Sequence, residues 1–271
     1  MALFSVVIPA YNEEDGIRAI MQRVLAVRPE IQAAGFDDLE LIVVDDGSGD
    51  ETAAQAEAAG AQLLRQPVNQ GKGAALWRGM RAALAQGADA VITLDADGQH
   101  CPEDMPKLLT AARRQPGRLI VAARLERRER APGLRRFANG MADFWISWAA
   151  GYPIRDTQSG FRLYPAAFLR AVSAPRNERR GFAFESALLI QATRLGCYPA
   201  MVAIETIYHP QGRPSHYQPW RDTLRIVATV AWELLGRGLY PLGLLRSLRL
   251  LPLPISDHEV LVKQQDTGGK T

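Results

Sequence analysis

The chain has 271 residues, 47% of them hydrophobic and 23% charged, which is enough apolar material for a sizeable core and too much for a disordered chain. Its 32 Lys and Arg against 29 Asp and Glu leave a net charge of +3, which argues against a general nucleic-acid binder. Cys101 and Cys197 match no disulfide or metal-ligand spacing, and Met1-Ala-Leu-Phe-Ser enters an apolar run without a basic leader, so a cytoplasmic protein is expected.

In chain order, residues 4–8, 39–44, 61–64, 90–94 and 119–122 read as short apolar strands. The first intervening segment carries Ile17, Ile20, Met21, Val24 and Leu25 at helical spacing. Ser48 followed by Glu51 reads as a capping box opening the next helix. Residues 73–86 bury Leu76, Met80, Ala83 and Leu84 on one helical face, and Pro102 suits the first turn of a helix carrying Leu108, Leu109 and Ala112. Strand and helix alternate, so the first half reads as an α/β fold with a mainly parallel sheet and flanking helices, of the nucleotide-binding type.

Beyond it, residues 124–136 form a dense Arg and Glu run around Pro132-Gly133 and read as an exposed loop. A helix over 137–150, a turn-rich stretch over 151–162, a helix over 181–194, a strand over 200–205 and a loop over 208–220 follow. The apolar segment 222–251 is interrupted by Arg225, Glu233, Arg237, Arg246 and Arg249, too many charges for a bilayer-spanning helix. Arg225, Thr229, Glu233 and Arg237 recur every fourth residue as a narrow polar stripe. Such a helix either packs on the domain or lies in a membrane interface with its arginines toward phosphate head groups. The domain is thus expected to span 1–220, an amphipathic helical extension 221–255, and a polar, disordered tail 256–271.

Acidic turns recur after three of the strands: Pro9-Ala-Tyr-Asn-Glu-Glu14, Asp45-Asp46-Gly-Ser48 and Asp95-Ala-Asp97-Gly-Gln-His100. Open α/β sheets bind ligands at the carboxyl ends of their strands, so these carboxylates should meet in one crevice. Clustered acids need a cation among them, and a Mg²⁺ or Mn²⁺ ion bridging a diphosphate fits. Asn69-Gln-Gly-Lys-Gly73 lacks the spacing of a phosphate loop, with Gln66 and Gly73 where Gly and Ser or Thr are needed. It reads instead as a glycine turn at a helix N-terminus, with Lys72 near the nucleotide.

Together, Val7-Ile-Pro-Ala-Tyr-Asn-Glu-Glu14, Val43-Val-Asp-Asp-Gly-Ser48, Asn69-Gln-Gly-Lys-Gly73 and Leu94-Asp-Ala-Asp-Gly-Gln-His100 resemble glycosyltransferase family 2. Asp156-Thr-Gln-Ser-Gly-Phe-Arg-Leu-Tyr164 narrows the resemblance to the branch of dolichyl- and polyprenyl-phosphate sugar synthases. It covers about residues 4 to 220. It implies a GT-A, Rossmann-like fold, a UDP- or GDP-sugar donor, a divalent metal, inversion at the anomeric carbon and a lipid-linked acceptor at the cytosolic membrane face. By motif, Pro9, Tyr11, Glu13 and Asp46 would hold base and ribose, with Lys72 close by. Asp95 and Asp97 would handle ribose, diphosphate and metal, with Gln99 a further metal ligand. Arg124 stands where the family binds diphosphate, and Arg135 or Arg136 would face the leaving or acceptor phosphate. Asn139 stands where relatives often carry Ser, and Gln158, Ser159 and Arg162 would floor the sugar site.

The acceptor decides which groups must be catalytic. A polyprenyl phosphate is already anionic and needs no protein base, whereas an alcohol of a lipid or glycan needs a carboxylate, for which Asp156 and Glu185 are the candidates. After the last core strand, Tyr208-His-Pro-Gln-Gly-Arg-Pro-Ser-His-Tyr217 differs in length from the segment of relatives, with Arg213 shifted and His216 in place of a lysine. Either residue could bind an acceptor phosphate. A nucleotide-sugar-binding protein without turnover is the non-enzymatic alternative, against which Asp95-x-Asp97 and Arg124 argue.

Overall fold

The computed structural model describes residues 3–33, 35–36, 38–124, 133–173, 182–204 and 219–254, with side chains throughout except at 133–136, 138, 182 and 219–225. The first half runs β1 (Leu3–Ala10), α1 (Ile17–Ala26), α2 (Arg28–Ala33), β2 (Asp38–Asp45), α3 (Thr52–Ala58), β3 (Gln62–Arg65), α4 (Lys72–Ala85) and β4 (Ala90–Thr93). A 3₁₀ turn at Pro102–Asp104 then leads into α5 (Met105–Arg114) and β5 (Leu119–Ala123). The second half holds α6 (Gly133–Ala150), β6 (Arg162–Pro165), α7 (Ala166–Ala171), α8 (Phe182–Arg194), β7 (Pro199–Ala203), α9 (Pro219–Leu235) and α10 (Pro241–Ser247).

All seven strands form one sheet in the order β3-β2-β1-β4-β6-β5-β7. Every neighbouring pair is parallel except those of β6, which runs antiparallel to both β4 and β5. Successive side chains of a strand point to opposite faces, so each strand feeds two cores. Val7, Ile42, Val44 and Val91 pack toward α4, α6, α8 and α9. Val6, Ile8, Val43 and Ile92 pack toward α1 and α5. The helix α4 lies close on β1 because residue 79 is glycine: a Cβ there would come within 2.4 Å of Val7. The expected α/β fold, with a mainly parallel sheet and flanking helices, is what the chain adopts.

Three local expectations are corrected. Ser48 does not cap α3, which begins at Thr52. Its hydroxyl accepts the Asn12 N–H at 2.9 Å, and Asp50 accepts the Thr52 N–H instead. The turn-rich stretch leads into an unexpected strand, β6, which opens on the fully buried Arg162. The C-terminal segment is two helices, broken where Leu239 and Tyr240 take positive φ.

The described polar residues of α9, Thr229 and Glu233, face the protein. Ile226, Val230 and Leu234 enter the core, Thr229 is buried, Glu233 pairs with Arg194 on α8, and Arg237 stacks 3.4 Å over the Tyr240 ring. Val227, Trp232 and Leu235 point outward instead. The Tyr240 ring is wedged against Gly151 and Gly243, where a Cβ would come within 2.7 and 2.1 Å of it. Trp148 on α6 donates its indole N–H to the Leu239 carbonyl at 3.0 Å, tying both helices to the domain. Among the described residues no helix is long and apolar enough to cross a membrane.

Candidate active site

The carboxyl ends of β1 and β2 are stitched together by their loops. Asn12 N–H donates to Ser48, Glu13 N–H to Thr52 Oγ1 and Glu14 N–H to Asp50, while Gly49 and Glu51 N–H return bonds to Asn12 and Glu14. Tyr11 on this seam is 37% exposed, and Pro9 is buried in β1. Asp46, only 3% exposed, points the other way along the edge. Its carboxylate accepts N–H groups of Gln70 and Gly71, both at 2.8 Å, and the Gln66 amide at 3.0 Å. Burial pushes this carboxyl above its usual range against those amides. Asp46 thus shapes the glycine turn that launches α4, and Lys72 stands at the first position of that helix.

Lys72 is the hub of the site. Its ammonium lies 2.7 Å from Asp95 Oδ1, beyond β4, and 3.1 Å from Glu185 Oε2 on α8. Although burial opposes charge, these two carboxylates hold the lysine above its ordinary range. Burial alone would raise Asp95, but Lys72 outweighs it and keeps the carboxyl below the usual range. Glu185, 2% exposed, is raised by desolvation, and its Oε1 has no hydrogen-bond partner. Asp97 projects at the mouth, where the surrounding protein and the charge of Asp95 push its carboxyl up. Gln99 is half-buried beside it and donates its N–H to Asp97 Oδ1 at 3.0 Å.

Opposite stands the Asp156 turn. Asp156 takes a left-handed backbone, φ 53°, and its carboxylate receives Arg124 through Nε, Nη2 and the backbone N–H, each at 2.8 Å. Behind it, Asp143 from the middle of α6 accepts the N–H groups of Asp156 and Thr157 at 3.0 Å and the Thr157 hydroxyl at 2.6 Å. Gly160 closes the floor, since a Cβ there would fall 2.4 Å from Asp95 Oδ2. Ser159 is fully buried and Gln158 half-buried. Arg162 is an internal strut rather than a surface for sugar: its guanidinium donates to the carbonyls of Thr157, Ser159 and Glu185 at 2.7–2.9 Å. His100, 3% exposed, packs 5.6 Å from Phe161 with Nδ1 unpartnered, and desolvation lowers its pKa to about 4.

The structure therefore gathers Lys72, Asp95, Asp97, Arg124, Asp156 and Glu185 at one sheet edge, with Tyr11 and Glu13 on the neighbouring loop. Asn139 lies half-buried on α6, whose first turn carries Arg135 and Arg136 in backbone only. Arg213 and His216 lie outside the described residues. Sequence reasoning missed Asp143, although an acid inside the apolar run Phe-Ala-Asn-Gly-Met-Ala-Asp-Phe-Trp was a signal for it.

This edge, with its paired acids and strand-end loops, matches a described family. Residues 5–170 fit the family described as "Glycosyl transferase family 2". The chain belongs to glycosyltransferase family 2. It is 31% identical over 203 residues to the undecaprenyl-phosphate mannosyltransferase of Micrococcus luteus, covering 70% of this chain and 77% of that protein. It is 28% identical over 226 residues to the UDP-N-acetylglucosamine–dolichyl-phosphate N-acetylglucosaminyltransferase of Methanococcus voltae, covering 76% and 86%. Its fold is similar to glucosyl-3-phosphoglycerate synthase from Mycobacterium tuberculosis in complex with Mn²⁺, UDP-glucose and phosphoglyceric acid. The TM-score is 0.65 at 26% identity, over 86% of this chain and 79% of that one. As a GT-A glycosyltransferase, the chain is an enzyme of sugar transfer.

A divalent ion suits the donor set. Asp95 Oδ1 already draws a cation, and Asp95 and Asp97 both offer oxygen. Among the described residues no group of three or more His, Cys, Asp or Glu could hold a metal ion, so an ion held by Asp95 and Asp97 would need further oxygen ligands from elsewhere.

Proposed function

We propose that this glycosyltransferase moves a sugar from a UDP- or GDP-sugar to a polyprenyl-phosphate-type lipid, with inversion and with Mg²⁺ or Mn²⁺, at the cytosolic face of a membrane. The observation that carries the acceptor is the state of the two base candidates. Asp156 is committed to Arg124 and Glu185 to Lys72, so an acceptor that brings its own negative oxygen suits this site better than a neutral alcohol. The named relatives above that use undecaprenyl or dolichyl phosphate support it.

In this reading Tyr11 and Glu13 hold the base and ribose, and Asp95 and Asp97 face the diphosphate. Arg124, fixed in plane by Asp156, presents its remaining N–H groups to the departing phosphate, a preorganised charge of the kind that stabilises a leaving group. Bound metal would supply Lewis-acid neutralisation of the diphosphate. Gln158 is assigned to the sugar side, which the fully buried Ser159 does not reach, and Arg135 or Arg136, Asn139, Arg213 and His216 are assigned to the acceptor. The helical surface supports a peripheral membrane location. Of the 14 large apolar side chains exposed among the described residues, 11 lie on α6 or from α9 onward. Trp145 and Trp232 among them are residues favoured at the membrane–water boundary.

Transfer to a hydroxyl with Glu185 as base is the second reading, favoured by its unpartnered, buried Oε1 and raised pKa. The deciding assay is nucleoside diphosphate release from UDP- and GDP-sugars with Mn²⁺, with and without a short-chain polyprenyl phosphate, beside Asp97→Ala. Release that requires the lipid phosphate and disappears in Asp97→Ala is expected. Release driven equally well by a lipid alcohol would overturn the phosphate acceptor.

A further inference from the structure

Asp95, the first acid of the Asp-x-Asp pair, is not an open ligand in the nucleotide-free protein. One of its oxygens carries the Lys72 ammonium at 2.7 Å, and the same ammonium is held from behind by Glu185 at 3.1 Å. The backbone that carries Lys72 is fixed in place. It starts α4 immediately after Gly71, whose N–H is fastened to Asp46, and Gly71 takes φ 94° to make the turn. Asp95 is equally confined, because the Gly160 backbone leaves no room for even a Cβ beside its carboxylate, and the Gly160 carbonyl is itself held by Thr93 at 2.8 Å. A cation of the protein's own is therefore built into the place where a divalent ion would seek its carboxylate.

We propose that Lys72 is an internal counter-cation that keeps the divalent-ion position unfavourable until a diphosphate arrives. The inference rests on the assignment of Asp95 and Asp97 to metal and diphosphate. A bare ion approaching Asp95 meets a like charge within a few ångströms, in surroundings where charges are poorly screened. A nucleoside diphosphate reverses the balance. Its negative oxygens give the ammonium an anionic partner in place of Asp95, beside Glu185, so that Lys72 and the ion can share the site without opposing one another. Glu185 serves as a positioning residue that steadies Lys72 while Asp95 changes partners. Ion and nucleotide then bind as one unit, and the protein avoids holding a loosely coordinated ion against water.

The experiment measures Mn²⁺ binding by the electron paramagnetic resonance signal of the free ion, with and without UDP, in the full chain and in Lys72→Met, Lys72→Arg and Asp97→Ala. Lys72→Met is expected to bind Mn²⁺ alone about tenfold or more tightly than the wild type, since a like charge has been removed. The same variant should bind UDP in the presence of Mn²⁺ more weakly, and Lys72→Arg, which keeps the charge, should leave the affinity for Mn²⁺ alone near that of the wild type. Unchanged or weaker Mn²⁺ binding by Lys72→Met, with Asp97→Ala still abolishing joint Mn²⁺ and UDP binding, would overturn the role of Lys72 and leave the metal assignment standing. Undiminished joint binding by Asp97→Ala would overturn the assignment itself. Should Lys72→Met fail to fold, the wild type decides: UDP must raise its Mn²⁺ affinity about tenfold or more, and equal affinity with and without UDP refutes the proposal.

Discussion

Along the carboxyl edge of the sheet, Asp46, Asp95 and Asp156 each rest on amides or a cation supplied by another element, whereas on α9 Ile226, Val230 and Leu234 enter the core while Val227, Trp232 and Leu235 stay exposed. The edge obeys the rule that a buried charge is kept only with its partner. The helical layer exposes large apolar side chains, where an ordinary surface helix turns a polar face to water. The difference teaches that the two regions solve different problems: the edge keeps charge in a confined space, while α9 keeps large apolar side chains at the surface.

The sharpest way to break this contrast is to remove a partner at the edge. Asp156→Ala strands the Arg124 guanidinium and frees the turn, and should cost about 3–5 kcal/mol of stability in urea denaturation. A loss below about 1 kcal/mol would mean that the pair is merely adjacent. Next in size is a pH effect from His100. Its folded pKa, about 4, lies below the unfolded value of 6.5, so the unfolded chain takes up the proton first and stability falls as pH drops from 6.5 toward 4. The loss is on the order of 3 kcal/mol, and His100→Leu should flatten that part of a melting-temperature profile recorded in a chelator. Gly160→Ala forces a methyl against Asp95 and should cost about 1–3 kcal/mol while weakening UDP binding in calorimetry. The smallest effect on stability belongs to Trp232→Ser with Leu235→Ser, within about 0.5 kcal/mol per site because both are exposed. That pair should nonetheless reduce co-flotation with anionic lipid vesicles, and full recovery with the vesicles would place the membrane contact elsewhere.

The parallel half was legible because its signals are local: β1 and β2 are apolar runs, α1 and α4 carry helical periodicity, and each observed strand matches its expected span within two residues at either end. What escaped depends on partners far along the chain. Ser48 looks like a cap in isolation, but its hydroxyl is taken by Asn12, 36 residues earlier. No window of sequence around Arg162 shows that a fully buried arginine will find three carbonyls, one of them 23 residues away on α8. The acidic motifs named where charge gathers without naming its pairing. Whether Asp156 or Glu185 stands ready as a base depends on Arg124 and Lys72, at separations of 32 and 113 residues.

The reversed strand β6 has a consequence for the order in which the protein assembles. It pairs with β4 and with β5, across separations of about seventy and forty residues, and it arrives only after α6. Loop closures of that span are slow relative to hairpins and helices. Among the described residues β5 pairs with β6 and with the later β7, so β6 joins β5 to β4, and the turn carrying Asp156 and the glycine that abuts Asp95 precede β6 directly. The floor of the site is therefore contributed by a later part of the chain than the β1-β2-β4 framework, and it depends on a strand that must bridge β4 and β5.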